Sequence, residues 1–210
     1  VVVQPGAVSS GGARAGFGSA STLTQDDAEA LRREDPAVQE VGYLARQTGQ
    51  LVYGDQNWST SIQGVTPSYI GILNWQIAAG RTITPADDAA AATVVILGET
   101  VVQNLFGAGA DPVGATIMVK GVPMQVIGVL GSRGQTGFGQ DQDDVVMIPF
   151  HTAERKVLRV STPPRARSAI TTLYPPAANA FGLPPRMTGF VNSIYVQANA
   201  ADQVQAAIDQ

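Results

Sequence analysis

One short run of residues limits the fold of this chain more than any other feature. Residues 93–98, with the sequence TVVILG, form a nearly unbroken series of β-branched and apolar side chains. Such a series is typical of a strand that is buried on both faces, and a strand of this kind needs other elements to cover it on both sides. Patterns for helices and for strands stand before and after the run, so we predict an α+β fold.

A helix is predicted near the start of the chain. Thr24 is followed by Asp27 at the spacing of a capping box, with Asp in place of the usual Glu. Asp26 and Asp27 also suit the positive end of the helix dipole. Pro36 then ends the helix after about ten residues.

The remaining patterns predict a hairpin, a middle block and a closing unit. Residues 38–53, as one long strand or two short ones, and the alternating residues 58–63, with a turn at 55–57, predict the hairpin. A strand over 190–196 and a helix over 200–208 close the chain. The middle block comprises a short helix from Pro67, a helix over 99–106, strands over 115–119 and 122–130 around the turn Lys120-Gly121, a loop over 131–144 and a strand over 145–148.

Charge and cysteine content exclude several classes of function. The chain of 210 residues has 13 basic and 17 acidic residues, a net charge of −4. This balance argues against a general nucleic-acid-binding protein, which needs a basic face to neutralise phosphates. No cysteine is present, which excludes disulfides, thiolate nucleophiles and zinc sites built on cysteine. No run of apolar residues is long enough to predict a membrane-spanning helix.

The single histidine, His151, could supply the base of a Ser-His-Asp triad. No G-x-S-x-G motif accompanies it, and it stands directly after Pro149 and Phe150, where a helix can begin. We therefore interpret His151 as a structural or surface histidine.

Clustered acids are interpreted as structural or solvated groups. A calcium-binding EF-hand loop that began at Asp141 would need Gly at its sixth position and Glu at its twelfth, and these positions hold Val146 and Thr152. We interpret the acids at 141–144 as solvated loop residues, and the pairs 26–27 and 87–88 as acids at helix N-termini. A pair of carboxylates for glycoside hydrolysis stays open, because its required separation is spatial.

Three further segments are interpreted as having no catalytic or ligand-binding role. The glycine-rich residues 11–18 lack the Gly-Lys-Ser/Thr ending that binds phosphates, which favours a flexible linker. Residues 57–59, Asn-Trp-Ser, match a glycosylation sequon that has meaning only in a eukaryotic protein. A basic cluster could meet an acidic partner or lipid headgroups, but we interpret it as a solvated face: Arg155, Lys156, Arg159, Arg165 and Arg167. We predict no catalytic, cofactor-binding or metal-binding residue.

Eight short segments follow one another in a characteristic order: TLTQDDA at 22–28, IQGVTPSY at 62–69, AGR at 79–81, VILG at 95–98, LFG at 105–107, DPVG at 111–114, VIGV at 126–129 and DDVVMIP at 143–149. In this order they resemble the periplasmic core domain of MacB-type ABC transporter permeases. The resemblance implies two mixed α/β subdomains. A discontinuous porter-like subdomain would comprise residues 1–66 and 187–210, and an inserted α/β subdomain would comprise residues 67–186. The two crossings between them, at 64–67 and 184–186, are the expected hinges.

The resemblance also implies a function without catalysis. The chain would be the periplasmic, extracytoplasmic part of a longer protein of the bacterial inner membrane. It would couple cytoplasmic ATP hydrolysis to substrate export by conformational change and partner binding, without a cofactor. The expected partners are a second copy of the permease, a cytoplasmic ATPase domain or subunit and, in tripartite members, a periplasmic adaptor and an outer-membrane duct.

A secreted hydrolase or glycan-binding module with an unrecognised site is the alternative function. The coding sequence on either side of the chain would distinguish the transporter function from this alternative. Apolar segments of about 18–25 residues on both sides would favour the transporter. A signal-peptidase site before the chain and a stop codon directly after it would favour the alternative.

Overall fold

The computed structural model describes residues 2–3, 9–10, 13–14, 23–34, 38–135, 141–157 and 191–198. The strands are β1 (Val2–Val3), β2 (Ser9–Ser10), β3 (Ala13–Arg14), β4 (Val38–Tyr53), β5 (Gln56–Val65), β6 (Ile77–Gly80), β7 (Val94–Leu97), β8 (Thr116–Val119), β9 (Val122–Leu130), β10 (Val145–Pro149) and β11 (Ser193–Ala198). The helices are α1 (Gln25–Glu34), α2 (Pro67–Ile72), α3 (Pro85–Ala89), α4 (Glu99–Leu105) and α5 (Phe150–Thr152), which continues as a π-helical turn over Ala153–Val157.

Within these residues, nine strands form one mixed sheet. The strand order along the sheet is β1-β11-β4-β5-β10-β7-β9-β6, and β8 pairs with both β4 and β9. The pairs β5–β10 and β7–β9 are parallel, and the other pairs are antiparallel. The short strands β2 and β3 pair only with each other. The chain therefore has a mixed α/β fold with a mixed sheet and few helices, as the sequence predicts.

The strand β7 confirms the expectation for residues 93–98. All four of its residues are buried, and it lies between β10, which is antiparallel to it, and β9, which is parallel. Val95 and Leu97 belong to one apolar cluster, whereas Val94 and Ile96 belong to another. Apolar residues therefore cover β7 on both faces.

Among the described residues, three apolar clusters cover the two faces of the sheet. The first packs α4 on one face, around Leu51 and Ile62. The second packs α2 on the opposite face, around Val65. The third packs α1 against β4 and β11, around Val41 and Ile194. Removal of this apolar surface from water is the main favourable term in the stability of the fold.

Two hairpin turns differ from the sequence prediction in detail. β5 begins at Gln56, so the first turn lies at Gly54-Asp55 rather than at 55–57. In the second hairpin both Lys120 and Gly121 have positive φ, +48° and +83°. Positive φ at both central residues is the type I′ geometry, which matches the twist of the flanking strands. The sequence predicted this conformation for the glycine alone.

The predicted helix starts are confirmed. The amide of Thr24 donates to Asp27 Oδ2 at 2.8 Å, and the amide of Asp27 donates to Thr24 Oγ1 at 3.3 Å, which is a reciprocal cap of α1. Pro67 is the first residue of α2. In the described parts of the chain, no helix has the length and hydropathy needed to cross a bilayer.

Several predicted features lie outside the described residues. They are the helix over 200–208, the crossing at 184–186 and most of the glycine-rich segment 11–18. The strand predicted over 190–196 is present as β11, which begins three residues later and pairs with β4.

Candidate functional site

A cleft of about 310 Å³ opens between α1 on one side and α2, α3 and α5 on the other. Side chains of β4 also line it. Its volume is at the lower end of the range for pockets that bind small molecules, about 300–1,000 Å³. The residues of its lining with polar side chains are Glu29, Arg32, Tyr43, Thr66, Ser68, Asp88 and His151.

Asp88 and His151 make a double contact at the edge of this cleft. The backbone amide of His151 donates to Asp88 Oδ1 at 2.9 Å, and His151 Nδ1 lies 2.9 Å from Asp88 Oδ2. Asp88 is only 7% exposed, and a buried carboxylate is costly without such partners. Asp88 lies in the first turn of α3, as predicted, but its carboxylate joins α3 to α5.

The Asp88–His151 pair has the arrangement of the aspartate and histidine of a catalytic triad. Among the described residues, no hydroxyl group donates to the other ring nitrogen of His151, so no nucleophile completes a triad there. The same residues include no group of three or more His, Asp and Glu side chains that could hold a metal ion. The role that this geometry supports is structural: the Asp88–His151 contact anchors α5 to α3.

The Tyr43 phenol lies in a negative electrostatic field. Burial, followed by the charges of Asp88, Glu29 and Glu154, raises the pKa of Tyr43 to about 12, whereas Arg32 opposes this rise. Tyr43 therefore stays protonated at neutral pH and lines the cleft as a neutral hydroxyl.

The structure corrects the interpretation of Asp143 as a solvated loop acid. Asp143 is 4% exposed, and its carboxylate accepts hydrogen bonds from Ser132 Oγ and from the amides of Arg133 and Gly134. Burial raises the pKa of this carboxyl, but the three hydrogen bonds and the nearby charge of Arg133 together outweigh that effect and hold the pKa below its ordinary value. Asp143 therefore closes the base of the loop at 131–144.

The neighbouring acids also have partners. Asp144 Oδ1 accepts a hydrogen bond from Trp58 Nε1 at 2.8 Å, and the exposed Asp141 accepts one from Thr100 Oγ1 at 2.7 Å. Trp58 is the central residue of the sequon at 57–59, so this segment forms part of β5 and of its packing.

The basic cluster is described only in part. Arg155 is exposed, whereas Lys156 Nζ donates to the carbonyl of Ala91 at 2.8 Å. Arg159, Arg165 and Arg167 lie outside the described residues.

The family model of the MacB-like periplasmic core domain matches residues 1–210, which is the whole chain. The chain belongs to this family. The assignment confirms the resemblance that the eight sequence segments indicate, and it favours the transporter interpretation over a secreted hydrolase or glycan-binding module.

Two relatives of this MacB-like domain are each named "Macrolide export ATP-binding/permease protein MacB". The protein of Syntrophobacter fumaroxidans is 37% identical over 173 residues, which is 82% of this chain. The protein of Chlorobaculum tepidum is 40% identical over 156 residues, which is 74% of this chain. In both cases the match covers 24% of the relative, so the domain corresponds to one part of longer permease proteins.

Solved structures show the same fold. The periplasmic region of MacB from Actinobacillus actinomycetemcomitans has a TM-score of 0.70 at 19% identity, and the match covers 99% of this chain and 78% of that one. The extracellular domain of the ABC-type transporter YknZ from Gram-positive bacteria has a TM-score of 0.63 at 20% identity, with 89% and 79% covered.

The AGR segment at 79–81 has a structural role in this MacB-like domain. Gly80 has φ +76°, and a Cβ atom placed there would lie 2.2 Å from the carbonyl oxygen of Ile127. Arg81 donates to both carboxylate oxygens of Asp87, at 2.7 and 3.2 Å. The hydrogen bond from Arg81 lowers the pKa of Asp87 most, and those from Thr84 lower it further. Burial opposes them, but the pKa stays well below its ordinary range.

Two other family segments, VILG and DDVVMIP, meet where β7 ends. The amide of Gly98 donates to the carbonyl of Val145 at 2.8 Å. A Cβ atom at Gly98 would lie 2.1 Å from the carbonyl oxygen of Asp143. Only glycine leaves room for this approach, so the segments that carry the resemblance hold the sheet and its loops together.

Sequence reasoning did not find the Asp88–His151 pair or the burial of Asp143. The two members of the pair are 63 residues apart, and no local pattern encodes a contact of that separation. The burial of Asp143 could have been predicted from the Ser-Arg-Gly sequence at 132–134, because the hydroxyl of Ser132 and the amides of Arg133 and Gly134 donate hydrogen bonds to its carboxylate.

Proposed function

We propose that this chain is the extracytoplasmic domain of a bacterial inner-membrane ABC transporter permease, where it couples cytoplasmic ATP hydrolysis to export of a substrate. The family match over residues 1–210 supports this proposal. The names of the relatives, which join ATP binding and permease in one protein, support it as well. In this proposal the domain contributes movement and partner binding, and the chemistry of ATP hydrolysis belongs to another part of the transporter.

The observation that carries the mechanical role is the continuity of the sheet. The ladder between β5 and β10 pairs residues 61–65 with residues 145–149. A second link joins β4 to β8 through the pairs Leu51–Val119 and Val52–Met118. Any sliding between these strands would break hydrogen bonds and close packing together. We therefore propose that the domain moves as one body.

We further propose that the chain divides into two subdomains that follow the strand order. One comprises residues 1–66 and 187–210, and the other comprises residues 67–186. β1, β11, β4 and β5 belong to the first group and occupy one half of the sheet. β10, β7, β9 and β6 belong to the second group and occupy the other half. The remaining strand of the second group, β8, pairs across this division with β4, so the boundary between the two subdomains runs along the ladder of β5 and β10 and along that of β4 and β8.

The crossing at 64–67 favours a fixed connection over the hinge that the sequence led us to expect. The amide of Thr66 donates to the carbonyl of Tyr43 at 3.2 Å, and the amide of Tyr43 donates to Thr66 Oγ1 at 3.1 Å. Val65 is fully buried, and a Cβ atom at Gly64 would lie 2.2 Å from the Cβ atom of Ala153. We propose that this crossing stays rigid during transport.

We propose three kinds of partner for the domain. They are a second copy of the permease, a cytoplasmic ATPase domain or subunit and, in a tripartite transporter, a periplasmic adaptor with an outer-membrane duct. The names of the relatives support the ATPase directly. The net charge of −4 opposes nucleic acid as a partner.

A chimeric transporter tests the proposed function. The corresponding domain of the Chlorobaculum tepidum relative is replaced by this chain, and ATP hydrolysis and ATP-dependent export are measured in proteoliposomes. We expect export that a domain-deleted transporter lacks. Hydrolysis without export in a chimera that is folded and inserted would contradict the coupling role. The matched control carries Gly98→Leu, which removes the close approach of β7 to Asp143 and should abolish export by unfolding the domain.

A further inference from the structure

We propose that the outer edge of β6 binds an extended basic segment of a partner protein. This segment would add a strand to the sheet and place a lysine or arginine side chain in a small acidic cavity beside that edge. Three features support the proposal: the open edge, the cavity next to it and the charges of that cavity. Such binding does not require the proposed transport function, which names partners but gives them no surface on this domain.

The strand β6 lies at one end of the sheet. It pairs with β9, and among the described strands no other lies beside it, so its outer edge presents backbone N–H and C=O groups that have no strand partner. Ala78, Ala79 and Gly80 are exposed there. The strand contains neither proline nor a charged side chain, two features that commonly protect such an edge. Its small side chains therefore let the backbone of a partner approach and pair.

A cavity of about 200 Å³ lies beside this edge. β6 contributes Ala78 and Ala79 to its wall, α4 contributes Glu99 and Val102, and the loop after α4 contributes residues 109–112. An added strand would lie about 4.7–4.9 Å from β6, and alternate side chains of that strand would point to the face of the sheet that α4 covers. One of them would therefore reach the cavity, whose volume suits a single side chain better than a whole small molecule.

The charged groups of the cavity are acids. Among the described residues that line it, the ionisable ones are Glu99 and Asp111. Glu99 is half-buried in the first turn of α4, and Asp111 is exposed in the loop after that helix. A third carboxylate, that of Asp141, lies at the same end of α4, where it accepts a hydrogen bond from Thr100 Oγ1 at 2.7 Å. A basic side chain would be attracted to this cavity, and an acidic one repelled.

The two carboxylates of the cavity have neutral partners. Glu99 Oε1 accepts a hydrogen bond from Gln103 Nε2 at 3.3 Å, and Asp111 Oδ1 accepts one from the amide of Val113 at 3.0 Å. Within the part of the chain that the structure describes, neither carboxylate forms an ion pair. A lysine or arginine of the partner would therefore supply a counter-charge that the cavity lacks.

A second copy of this chain fits the edge less well than a different polypeptide. β6 carries no basic residue, and Arg81, which follows it, already donates to both carboxylate oxygens of Asp87. Pairing of two β6 edges would also bring the acids of two copies to one interface, where they would repel each other. The charges therefore favour a partner segment with a lysine or arginine between β-branched residues, which suit an extended conformation.

Binding of defined peptides to the 210-residue chain tests this proposal. The probe is the capped heptapeptide SVTKTVS, and two matched peptides carry glutamine or glutamate in place of the lysine. A fourth peptide keeps the lysine but has methyl groups on the backbone nitrogens of its valines and threonines. These methyl groups remove the donors that strand pairing needs and leave the charge unchanged.

Binding is followed through the amide signals of the ¹⁵N-labelled chain in two-dimensional NMR spectra. We expect the lysine peptide to shift the signals of residues 77–80, 99 and 109–112. Its affinity should be about tenfold higher than that of the glutamine peptide, and the glutamate peptide should bind more weakly still. The methylated peptide should not bind.

Variants of the chain separate charge from shape. Glu99→Gln and Asp111→Asn should each lower the affinity for the lysine peptide about threefold, and together about tenfold. The asparagine keeps an oxygen for the amide of Val113, so the loop is retained. Ala79→Leu fills the cavity from an exposed position and should remove the preference for lysine. Glu40→Gln, at an exposed position of β4 in the other half of the sheet, is the matched control and should bind as the wild type does.

Each outcome decides for or against the proposal. Equal affinity for the lysine and glutamate peptides, shifts located away from β6 and α4, undiminished binding of the methylated peptide, or no binding at millimolar peptide would overturn it. Shifts of residues 77–80 that appear in the free chain as its concentration rises would favour a second copy and would also overturn it. Spectra and thermal unfolding of the free variants verify that each one folds. Lysine selectivity that persists in Glu40→Gln and is lost in the double variant would support the site.

Discussion

Two carboxylates of this domain are held ionised by hydrogen bonds. Asp143 accepts from a hydroxyl and two amides at the base of a loop. Asp87 accepts from the Arg81 guanidinium and from Thr84 at the start of α3. The pKa of each is below its ordinary value, so each carboxylate stabilises the folded state when it is charged.

The stability of the domain should fall in acid. A group whose pKa is lowered by folding contributes its full stabilisation above its unfolded pKa, about 3.9 for aspartate, and loses it as the pH falls through the folded pKa. We expect the free energy of unfolding, measured by urea denaturation, to be nearly constant from pH 7 to about pH 5 and to decrease below about pH 4.

Asp143→Asn tests the source of this dependence. The variant should lose about 2 kcal/mol at pH 7, because a buried, charge-assisted hydrogen-bonded group is replaced by a neutral one. Its stability should also change less between pH 5 and pH 3 than that of the wild type. Asp55→Asn, at an exposed turn position, is the control and should retain the acid dependence. An Asp143→Asn curve parallel to that of the wild type would contradict the assignment.

Substitution of Gly80 and of Gly71 by alanine tests where the fold requires a glycine. Gly80→Ala should destabilise the domain by about 2–4 kcal/mol, since φ at this position is +76° and the new Cβ atom would meet the Ile127 carbonyl. Gly71→Ala should be neutral or stabilising by up to about 1 kcal/mol, because Gly71 lies in α2 with no atom within 4 Å of an added Cβ. Thermal unfolding of both variants measures the difference, and equal effects would be inconsistent with it.

At the scale of single elements, sequence patterns gave most of the fold. The cap of α1, the proline start of α2, the buried β7 and the hairpin of β8 and β9 depend on neighbouring residues, so local patterns predict them. The strand β6 has no such pattern, because Ala78, Ala79 and Gly80 are small and exposed. They form a strand only because they pair with β9. The Asp88–His151 contact of the candidate site depends on tertiary structure in the same way.

The capping box of α3 gives a prediction at this scale. Thr84 Oγ1 accepts from the amide of Asp87 at 3.2 Å, and the Asp87 carboxylate accepts from the amide of Thr84 at 2.9 Å. Thr84→Ala should cost about 1 kcal/mol of stability, because the cap is lost. Thr82→Ala, at an exposed position nearby, should cost less than about 0.5 kcal/mol. Chemical denaturation measures both values, and an equal loss would show that the cap contributes little.

At the scale of the whole molecule, two ladders between described strands join the halves of the sheet. β5 pairs with β10, and β4 pairs with β8. The central claim of the proposed function is that these ladders persist while the transporter works, so that the domain transmits movement as one body. A movement of the two halves relative to each other would instead have to distort or separate at least one of the two ladders.

A reversible cross-link between the halves tests this claim most directly. Val52 and Met118 are directly opposite each other, and residues paired in this way have Cα atoms about 4.5–5.5 Å apart, which a disulfide can span. The chain has no cysteine of its own, so Val52→Cys with Met118→Cys can be introduced into the full-length transporter without competing thiols from this domain. The single variants are the controls. We predict that ATP-dependent export is the same, within about twofold, in the oxidised and the reduced double variant. Export that is lost on oxidation and restored on reduction would contradict the account.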